Sequence, residues 1–481
     1  MTRTFDKVLI ANRGEIAVRV LRALRELEIA SVAVYSEADR EALHVRLADE
    51  AYCIGPAPSS ASYLQAERIV ELAQRVGAGA IHPGYGFLSE NAGFARRCEE
   101  SGVVFIGPSA EAISVMGSKI ESRRLMREAG VPVVPGGTEP LADLDAARAA
   151  CEEIGYPVML KASAGGGGKG MRLVRSAAET EKAYRAATSE AMSSFGDAAV
   201  YVEKYVERPR HVEIQVLGDL HGTVVSLGER ECSLQRRHQK VVEEAPSLAV
   251  DPDLRRRMGE AAVRAAEAVR YNGAGTVEFL LAGDGAFYFL EMNTRLQVEH
   301  PVTELVTGVD LVVAQIEVAR GLPLAPELEG IEPRGHAVEV RLYAEDPYHG
   351  FAPSPGRILA LRLPEGPGVR NDCGVDEGSE VTIHYDPMLA KLIVWGSDRP
   401  QALRRLRRAL QELRIEGIRT TAPLYLGLLD DADFLAGTLD IGMLDRKLAA
   451  GELRRRDDGQ GEARETVAAI GAALAHARSR Q

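Results

Sequence analysis

Thr276-Val-Glu-Phe-Leu-Leu281, then Gly283-Asp-Gly285, then Glu291-Met-Asn-Thr-Arg-Leu-Gln-Val-Glu299 is the stretch that decides how this chain folds. In an extended strand every second side chain shares a face. On that reading one ribbon presents carboxylate, amide, guanidinium, amide and carboxylate in a row, from Glu291, Asn293, Arg295, Gln297 and Glu299. A hairpin turn at 283–285 brings Glu278, the carboxylate in an otherwise apolar strand, beside Glu291. Two carboxylates and an amide oxygen are hard ligands, suited to a Mg²⁺ ion that bridges nucleotide phosphates. Alternation alone also describes a solvated edge strand. The apolar flanks and the pairing with Glu278 argue against that here.

Four other segments carry polar chemistry. Lys161-Ala-Ser-Ala-Gly-Gly-Gly-Gly-Lys-Gly-Met171 follows the apolar Pro157-Val-Met-Leu160. Its consecutive glycines let backbone N–H groups approach an anion closely, and Lys161 and Lys169 flank them with positive charge. A flexible linker is the plain alternative, but a lysine ending a buried strand needs a partner. Glu229-Arg-Glu-Cys-Ser-Leu-Gln-Arg-Arg-His-Gln-Lys240 gathers Arg236, Arg237, His238 and Lys240. It is read as a basic wall beside a nucleotide, or else as a solvated face; Cys232 is read as a small buried residue. Lys119, in Met116-Gly-Ser-Lys119, starts a helix. Arg341, in Ala337-Val-Glu-Val-Arg341, sits on an alternating strand, and His82-Pro-Gly-Tyr-Gly-Phe-Leu-Ser-Glu-Asn91 is a rigid loop with two aromatics.

Outward from these segments, the amino-terminal hundred residues alternate strand and helix periods. Val8-Leu-Ile-Ala11 and Ser31-Val-Ala-Val-Tyr35 read as buried strands around a helix over 15–28. Gly79-Ala-Ile81 and Val103-Val-Phe-Ile106 continue a parallel α/β unit. The Gly-x-Gly-x-x-Gly fingerprint of dinucleotide binding is missing from the first turn, which disfavours a hydride-transfer cofactor. The 481 residues divide into an α/β domain at 1–115, a second domain at 116–330 with a lid at about 134–206, and a mixed α+β domain at 331–448. A charged tail covers 449–481. Lys and Arg number 58 against 70 Asp and Glu, a net charge of −12 that argues against nucleic-acid binding. Five cysteines without CxxC spacing fit a reducing cytoplasm better than disulfides or a zinc site. No signal-like leader or long apolar run is visible, so a cytoplasmic location away from membranes is expected.

These motifs together resemble the biotin carboxylases of the ATP-grasp superfamily. The resemblance runs from Val8-Leu-Ile-Ala-Asn-Arg-Gly-Glu-Ile-Ala17 to about Leu448 and is most specific at Glu291–His300. It implies an α/β ATP-grasp fold behind a Rossmann-like domain. It implies carboxylation of biotin on a carrier protein, from ATP and bicarbonate through carboxyphosphate. Positions matching Lys119, Lys161, Gly167, Gly168, Glu203, Lys204, Tyr205, Val206, His211, Gln235 and His238 are then nucleotide contacts. Glu278, Glu291 and Asn293 match the ligands of two Mg²⁺ or Mn²⁺ ions. Lys240, Arg295, Gln297 and Val298 match the bicarbonate site, Glu299 the base, Arg341 the group facing the biotin enolate, and Tyr85 a residue beside the biotin ring. The implied partners are a biotin carboxyl carrier protein and carboxyltransferase subunits on separate chains, because no Met-Lys-Met biotinylation motif occurs. Acetyl-CoA is the default final acceptor, with pyruvate, propionyl-CoA or a longer acyl-CoA as alternatives. A homodimer is expected with Arg22 and Arg370 in place, although Pro367 stands where relatives often have an interface aromatic. Another ATP-grasp ligase and a silent ATP-binding regulator are the remoter readings.

Overall fold

The computed structural model describes residues 5–137, 140–162, 171–195, 198–237 and 239–453. Gly167, Gly168, Lys169, His238 and the tail beyond 453 lie outside the described residues.

The apolar run at 8–10 becomes β1 (Lys7–Ile10), with Val8, Leu9 and Ile10 all fully buried. A strand apolar on both faces must be covered on both, which suits a parallel sheet. β1 pairs in parallel with β2 (Ala30–Ser36) and β4 (Ala80–His82), and the sheet order is β3-β2-β1-β4-β5. β5 is Val104–Phe105. β3 (Glu50–Gly55) has no counterpart among the strands expected from sequence, since its mixed burial lacks a clear period. Helix α1 (Gly14–Glu26) buries Ile16, Val20 and Leu24 against this sheet. After β4 the chain turns at Gly84, whose φ of +60° favours glycine and whose Cβ would lie 2.9 Å from Asn12 Nδ2. That Asn12 amide donates to the carbonyls of Pro83 and Tyr85, each at 2.7 Å, and so fixes the loop carrying Tyr85.

A small antiparallel sheet follows, ordered β7-β6-β8, from β6 (Val158–Ala162), β7 (Met171–Val174) and β8 (Val200–Lys204). The Ala177–Phe195 helix packs Ala183, Ala187 and Ala191 onto it.

The largest element is an eight-stranded antiparallel sheet. Its order is β13 (Phe287–Asn293), β12 (Gly273–Leu281), β9 (Arg210–Gly218), β10 (Val224–Arg236), β11 (Gln239–Ala245), β14 (His336–Tyr343), then Met388–Gly396 and Val369–Cys373. The division expected near residue 330 therefore falls within one continuous sheet, because β11 hydrogen-bonds directly to β14. The seam is also tied by side chains. Glu244 accepts from Arg399 Nε at 2.6 Å and from His336 Nε2 at 2.8 Å, all three being buried. Burial alone would raise the Glu244 carboxyl, but Arg399 and His336 overcome it and bring it to about 2 from an ordinary 4.5. Because the folded value is depressed, this pairing stabilises above the unfolded pKa and is lost as pH falls toward the folded one. Arg399→Ala leaves a buried carboxylate without its main partner, so thermal unfolding at pH 7 should show a loss of about 3–5 kcal/mol.

Candidate active site

The hairpin forms as its turn residues require. Gly285 has φ of +82°, Ala282 N donates to Ala286 O at 2.8 Å, and Glu278 lies directly opposite Glu291. The strand, however, ends at Asn293. Residues 294–299 are not strand, and Glu299 is the N-cap residue of the His300–Thr307 helix, with ψ of 10°. Pro301 in the first turn and the His300 N–H bonded to Gln297 O start that helix, and they draw the chain off the ladder. The expectation of one extended ribbon from 291 to 299 is thus corrected: strand alternation accounts for Glu291 and Asn293 only.

The side chains of 293–299 nevertheless meet around Glu278. Asn293 Nδ2 and Gln297 Nε2 each donate to Glu278 Oε1 at 2.9 Å. Arg295 Nη2 donates to Asn293 Oδ1 at 2.9 Å, while its Nε donates to Glu90 Oε2 at 2.8 Å. Lys240, beside Gln235 on the neighbouring strands, reaches Glu213 Oε2 at 2.5 Å, Glu299 Oε1 at 2.6 Å and Glu278 Oε1 at 2.9 Å. This ammonium is buried, yet the carboxylates around it raise its pKa well above the ordinary value. In return Glu278 is held well below the usual carboxylate range and Glu299 below it, in both cases against the opposing effect of burial. Glu299 Oε2 also accepts from Arg341 Nη2 at 2.9 Å, and Arg341 Nε donates to Glu243 at 2.7 Å. The Val298 carbonyl accepts from buried Lys391 at 2.8 Å. Tyr85 donates its hydroxyl to Glu15, which lies within reach of Lys391 at 3.3 Å.

At the other end of the hairpin, His211 Nε2 lies 3.1 Å from Glu278 Oε2, and its Nδ1 is 3.0 Å from Gln235 Nε2. Burial opposes protonation of His211, but Glu278 and Glu213 outweigh it and raise its pKa to about 9. One ligand atom each of His211, Glu213 and Glu278 lies within 4.8 Å of the others, close enough to share a cation. Glu291 is open to solvent on one side, yet its carboxyl is pushed up, first by desolvation and next by the charge of Glu278. A divalent cation between these two carboxylates would offset that repulsion, so the donors fit a hard metal ion. Asn293 Oδ1 keeps a second lone pair for an ion beside its bond from Arg295.

Buried Glu203 on β8 pairs with Lys161 on the facing strand β6 and with Arg123 on the Lys119–Glu128 helix. Lys119, exposed at the start of the Lys119–Glu128 helix, is near enough to Glu291 to favour its charged form. Three expected positions point elsewhere. Lys204 Nζ donates to the carbonyls of Gly155 and Tyr156, at 2.8 and 3.1 Å, and the Lys204 and Tyr205 N–H groups are bonded to Pro135 O and Pro157 O. Of the basic run, Arg236 stacks over Phe351 at 3.9 Å and Arg237 occupies an exposed turn, so among its described members only Lys240 enters the cluster.

Glu213, Arg230, Glu243, Glu90 and Lys391 belong to the site but are not among the residues expected from sequence. Arg230, fully buried, donates to Glu213 at 2.5 Å, Gln215 at 2.6 Å and Gln297 at 2.9 Å, and so orients three polar groups at once. A signal exists for Glu213. His211, Glu213 and Gln215 alternate with Val212, Ile214 and Val216, the same pattern that exposes Glu278.

A Rossmann-like sheet, a small three-stranded antiparallel sheet and a hairpin with opposed carboxylates beside lysines are the parts of an ATP-grasp ligase. Comparison with known proteins agrees. The family model described as biotin carboxylase, N-terminal domain, matches residues 4–113. The carbamoyl-phosphate synthase L chain ATP-binding domain matches 118–327, and the biotin carboxylase C-terminal domain matches 339–446. Biotin carboxylase of Nostoc sp. is 54% identical over 435 residues, covering 90% of this chain and 97% of its own. The mitochondrial propionyl-CoA carboxylase alpha chain of Mus musculus is 52% identical, over 92% of this chain and 61% of its own. Among solved structures, the Campylobacter jejuni biotin carboxylase complex is 48% identical over 92% of this chain and 99% of its own, with a TM-score of 0.85. The biotin carboxylase domain dimer of Hydrogenobacter thermophilus 2-oxoglutarate carboxylase, in complex with MgADP, ADP and bicarbonate, matches with 49% identity and a TM-score of 0.85, over 95% of this chain and all of its own. The chain belongs to the biotin carboxylase family. It is an ATP-dependent ligase that carboxylates biotin with bicarbonate.

Proposed function

We propose that the Lys240–Glu278–Glu299 cluster is where bicarbonate is activated, with Arg341 as the group that meets biotin. The observation that carries this reading is the convergence of Lys240, Asn293 and Gln297 on Glu278, with Glu299 bonded to Lys240 and Arg295 to Asn293. Bicarbonate is a weak nucleophile, and joining it to phosphate from ATP makes its carbon reactive. Lys119 and His211 stand beside the Glu291 and Glu278 carboxylates, Lys161 lies on the small sheet, and positive charge from such groups would spread the charge of a phosphoryl transition state. A Mg²⁺ or Mn²⁺ pair held by Glu278, Glu291 and Asn293 would supply further charge neutralisation. Lys240 and the planar fork of Arg295 hold the bicarbonate anion. Glu299, kept ionised by Lys240 and Arg341, takes the bicarbonate proton. Arg341 then faces the negative charge that develops on the biotin ureido oxygen when its nitrogen is deprotonated. Tyr85, held by Asn12 and Glu15, edges the same space.

In this reading the acceptor of the reaction is biotin on a separate carrier protein, and a separate transferase passes the carboxyl onward to acetyl-CoA or another acceptor. The near-equal identities to the Nostoc biotin carboxylase, 54%, and to the mouse propionyl-CoA carboxylase alpha chain, 52%, fit a final acceptor chosen outside this chain. A homodimer is also proposed; within the chain Arg370 is bonded to Glu304 at 2.6 Å and Asp372 at 2.8 Å. Among the described residues no helix is long and apolar enough to cross a membrane.

The test is ADP release with and without bicarbonate and free biotin. ATP cleavage should require bicarbonate and quicken with biotin, and Glu278→Gln should raise the Mg²⁺ concentration needed for half-maximal rate about tenfold or more. Equal ADP release in the absence of bicarbonate would sink the reading.

A further inference from the structure

Behind Arg341 lie two carboxyl groups that the reaction as described does not use. Strands β11 and β14 are antiparallel, and Glu243 sits directly opposite Glu339. Neither is exposed at all. Residues so opposed place their Cβ atoms about 4.5–5.5 Å apart on one face of the sheet. Glu243 Oε1 accepts from Arg341 Nε at 2.7 Å and lies 2.5 Å from Nη2, which donates to Glu299. Glu243 Oε2 and both oxygens of Glu339 find no hydrogen-bond partner among the described residues. Buried acceptors left so are costly, about 1–3 kcal/mol each. A single proton between the two carboxyls turns one acceptor into a donor and gives Glu243 Oε2 and one Glu339 oxygen a partner. The charges facing them are Arg341 on β14, Glu299 before the His300–Thr307 helix, Lys240 on β11 and Lys391 on the Met388–Gly396 strand. Tyr343, on β14, stands beside Arg341. Lys391 is already engaged by the Val298 carbonyl.

We infer that Glu243 and Glu339 hold one proton between them, and that Glu243 is a positioning residue that aims the Arg341 guanidinium past Glu299 toward biotin. The inference rests on the reading of Arg341 proposed above. The electrostatics agree with the geometry. Burial pushes Glu339 well up despite Lys391, and it lifts Glu243 to about 7 despite Arg341. With Glu339 neutral, Arg341 is shared by Glu243 and Glu299 alone. Ionised Glu243 grips Nε. Once protonated, it loosens that grip, so carboxylation should fall on the acid side of about pH 7.

The experiment compares pH profiles of biotin carboxylation for the wild type, Glu243→Gln and Glu339→Leu. Glu243→Gln keeps the shape and an acceptor oxygen but cannot ionise. Its kcat should drop about 10–100-fold and its acid limb near neutral pH should vanish, while KM for ATP stays within about twofold. Glu339→Leu removes the donor to ionised Glu243, so the acid limb should move to higher pH. If both carboxyls were ionised, the same change would relieve repulsion and move the limb down; a downward or absent shift overturns the shared proton. A retained limb in Glu243→Gln overturns the positioning role. Arg341→Lys separates the two levels: wild-type carboxylation in it defeats the Arg341 reading itself, whereas loss there with a wild-type Glu243→Gln defeats only this inference. Should Glu339→Leu not fold, infrared spectroscopy of Glu339→Gln replaces it. A protonated-carboxyl band present at neutral pH in the wild type and lost in Glu339→Gln supports the shared proton; no lost band refutes it.

Discussion

Glu299→Gln should lower biotin carboxylation by about 10²–10⁴-fold while leaving ATP affinity within about twofold, the range expected when a positioned base is removed. The amide keeps the hydrogen-bonding volume beside Lys240 and Arg341, so the fold should hold. What disappears is the ability to take a proton. Lys240 at 2.6 Å and Arg341 at 2.9 Å keep Glu299 ionised in the free enzyme. A strongly held carboxylate is a weak base until another anion arrives. Bound bicarbonate would compete for the same two cations and add like charge beside Glu299, and both effects raise its proton affinity. The base is thus strengthened by its own substrate. Nucleotide binding by equilibrium titration and radiolabelled carboxybiotin formation test both halves. Near-wild-type turnover in Glu299→Gln would transfer the proton to some other group.

Lys240→Met should be the most damaging single change. It removes a cation at 2.5–2.9 Å from Glu213, Glu299 and Glu278, and leaves three buried carboxylates facing each other. Truncating one member of a buried charge network costs about 3–5 kcal/mol. The pH dependence should also change sign. In the wild type these carboxyls are held low, so their contribution to stability is present above the unfolded value of 4.5 and lost in acid. In the variant the same groups bind protons that the unfolded chain does not, so stability falls as pH rises from about 5 to about 8. Turnover should drop at least about 10²–10³-fold, as for loss of an electrostatic donor at a reacting anion. Denaturant unfolding at about pH 5.5 and about pH 8, set beside steady-state rates, checks both. A variant equally stable at the two values would mean that the carboxylates are not coupled through Lys240.

The hairpin and the amino-terminal sheet are legible in the sequence because each depends on local chemistry. Gly283-Asp-Gly285 can only turn, and Val8-Leu-Ile reads as a strand buried on both faces. Residues 294–299 mislead for a physical reason. Polar groups at every second position arise on a strand face, but also where an irregular segment wraps around one hub, and the hub here is Glu278. Glu213 carries the same alternating signature within a strand that is otherwise easy to pass over. Arg230, Glu243 and Lys391 carry none. Each becomes important through strand register, such as Glu243 opposite Glu339 and Arg341 opposite Lys391, and register between distant strands is not written in any short stretch of chain.

The pairing of β11 with β14 has a mechanical consequence. Lys240 and Arg341 are carried on adjoining rails of one hydrogen-bonded ladder, so the spacing between the strands that carry this ammonium and this guanidinium is a built-in gauge length. Hinge motion between the central and carboxy-terminal thirds cannot stretch it without tearing main-chain bonds. The two cations therefore ride on a common rigid bench.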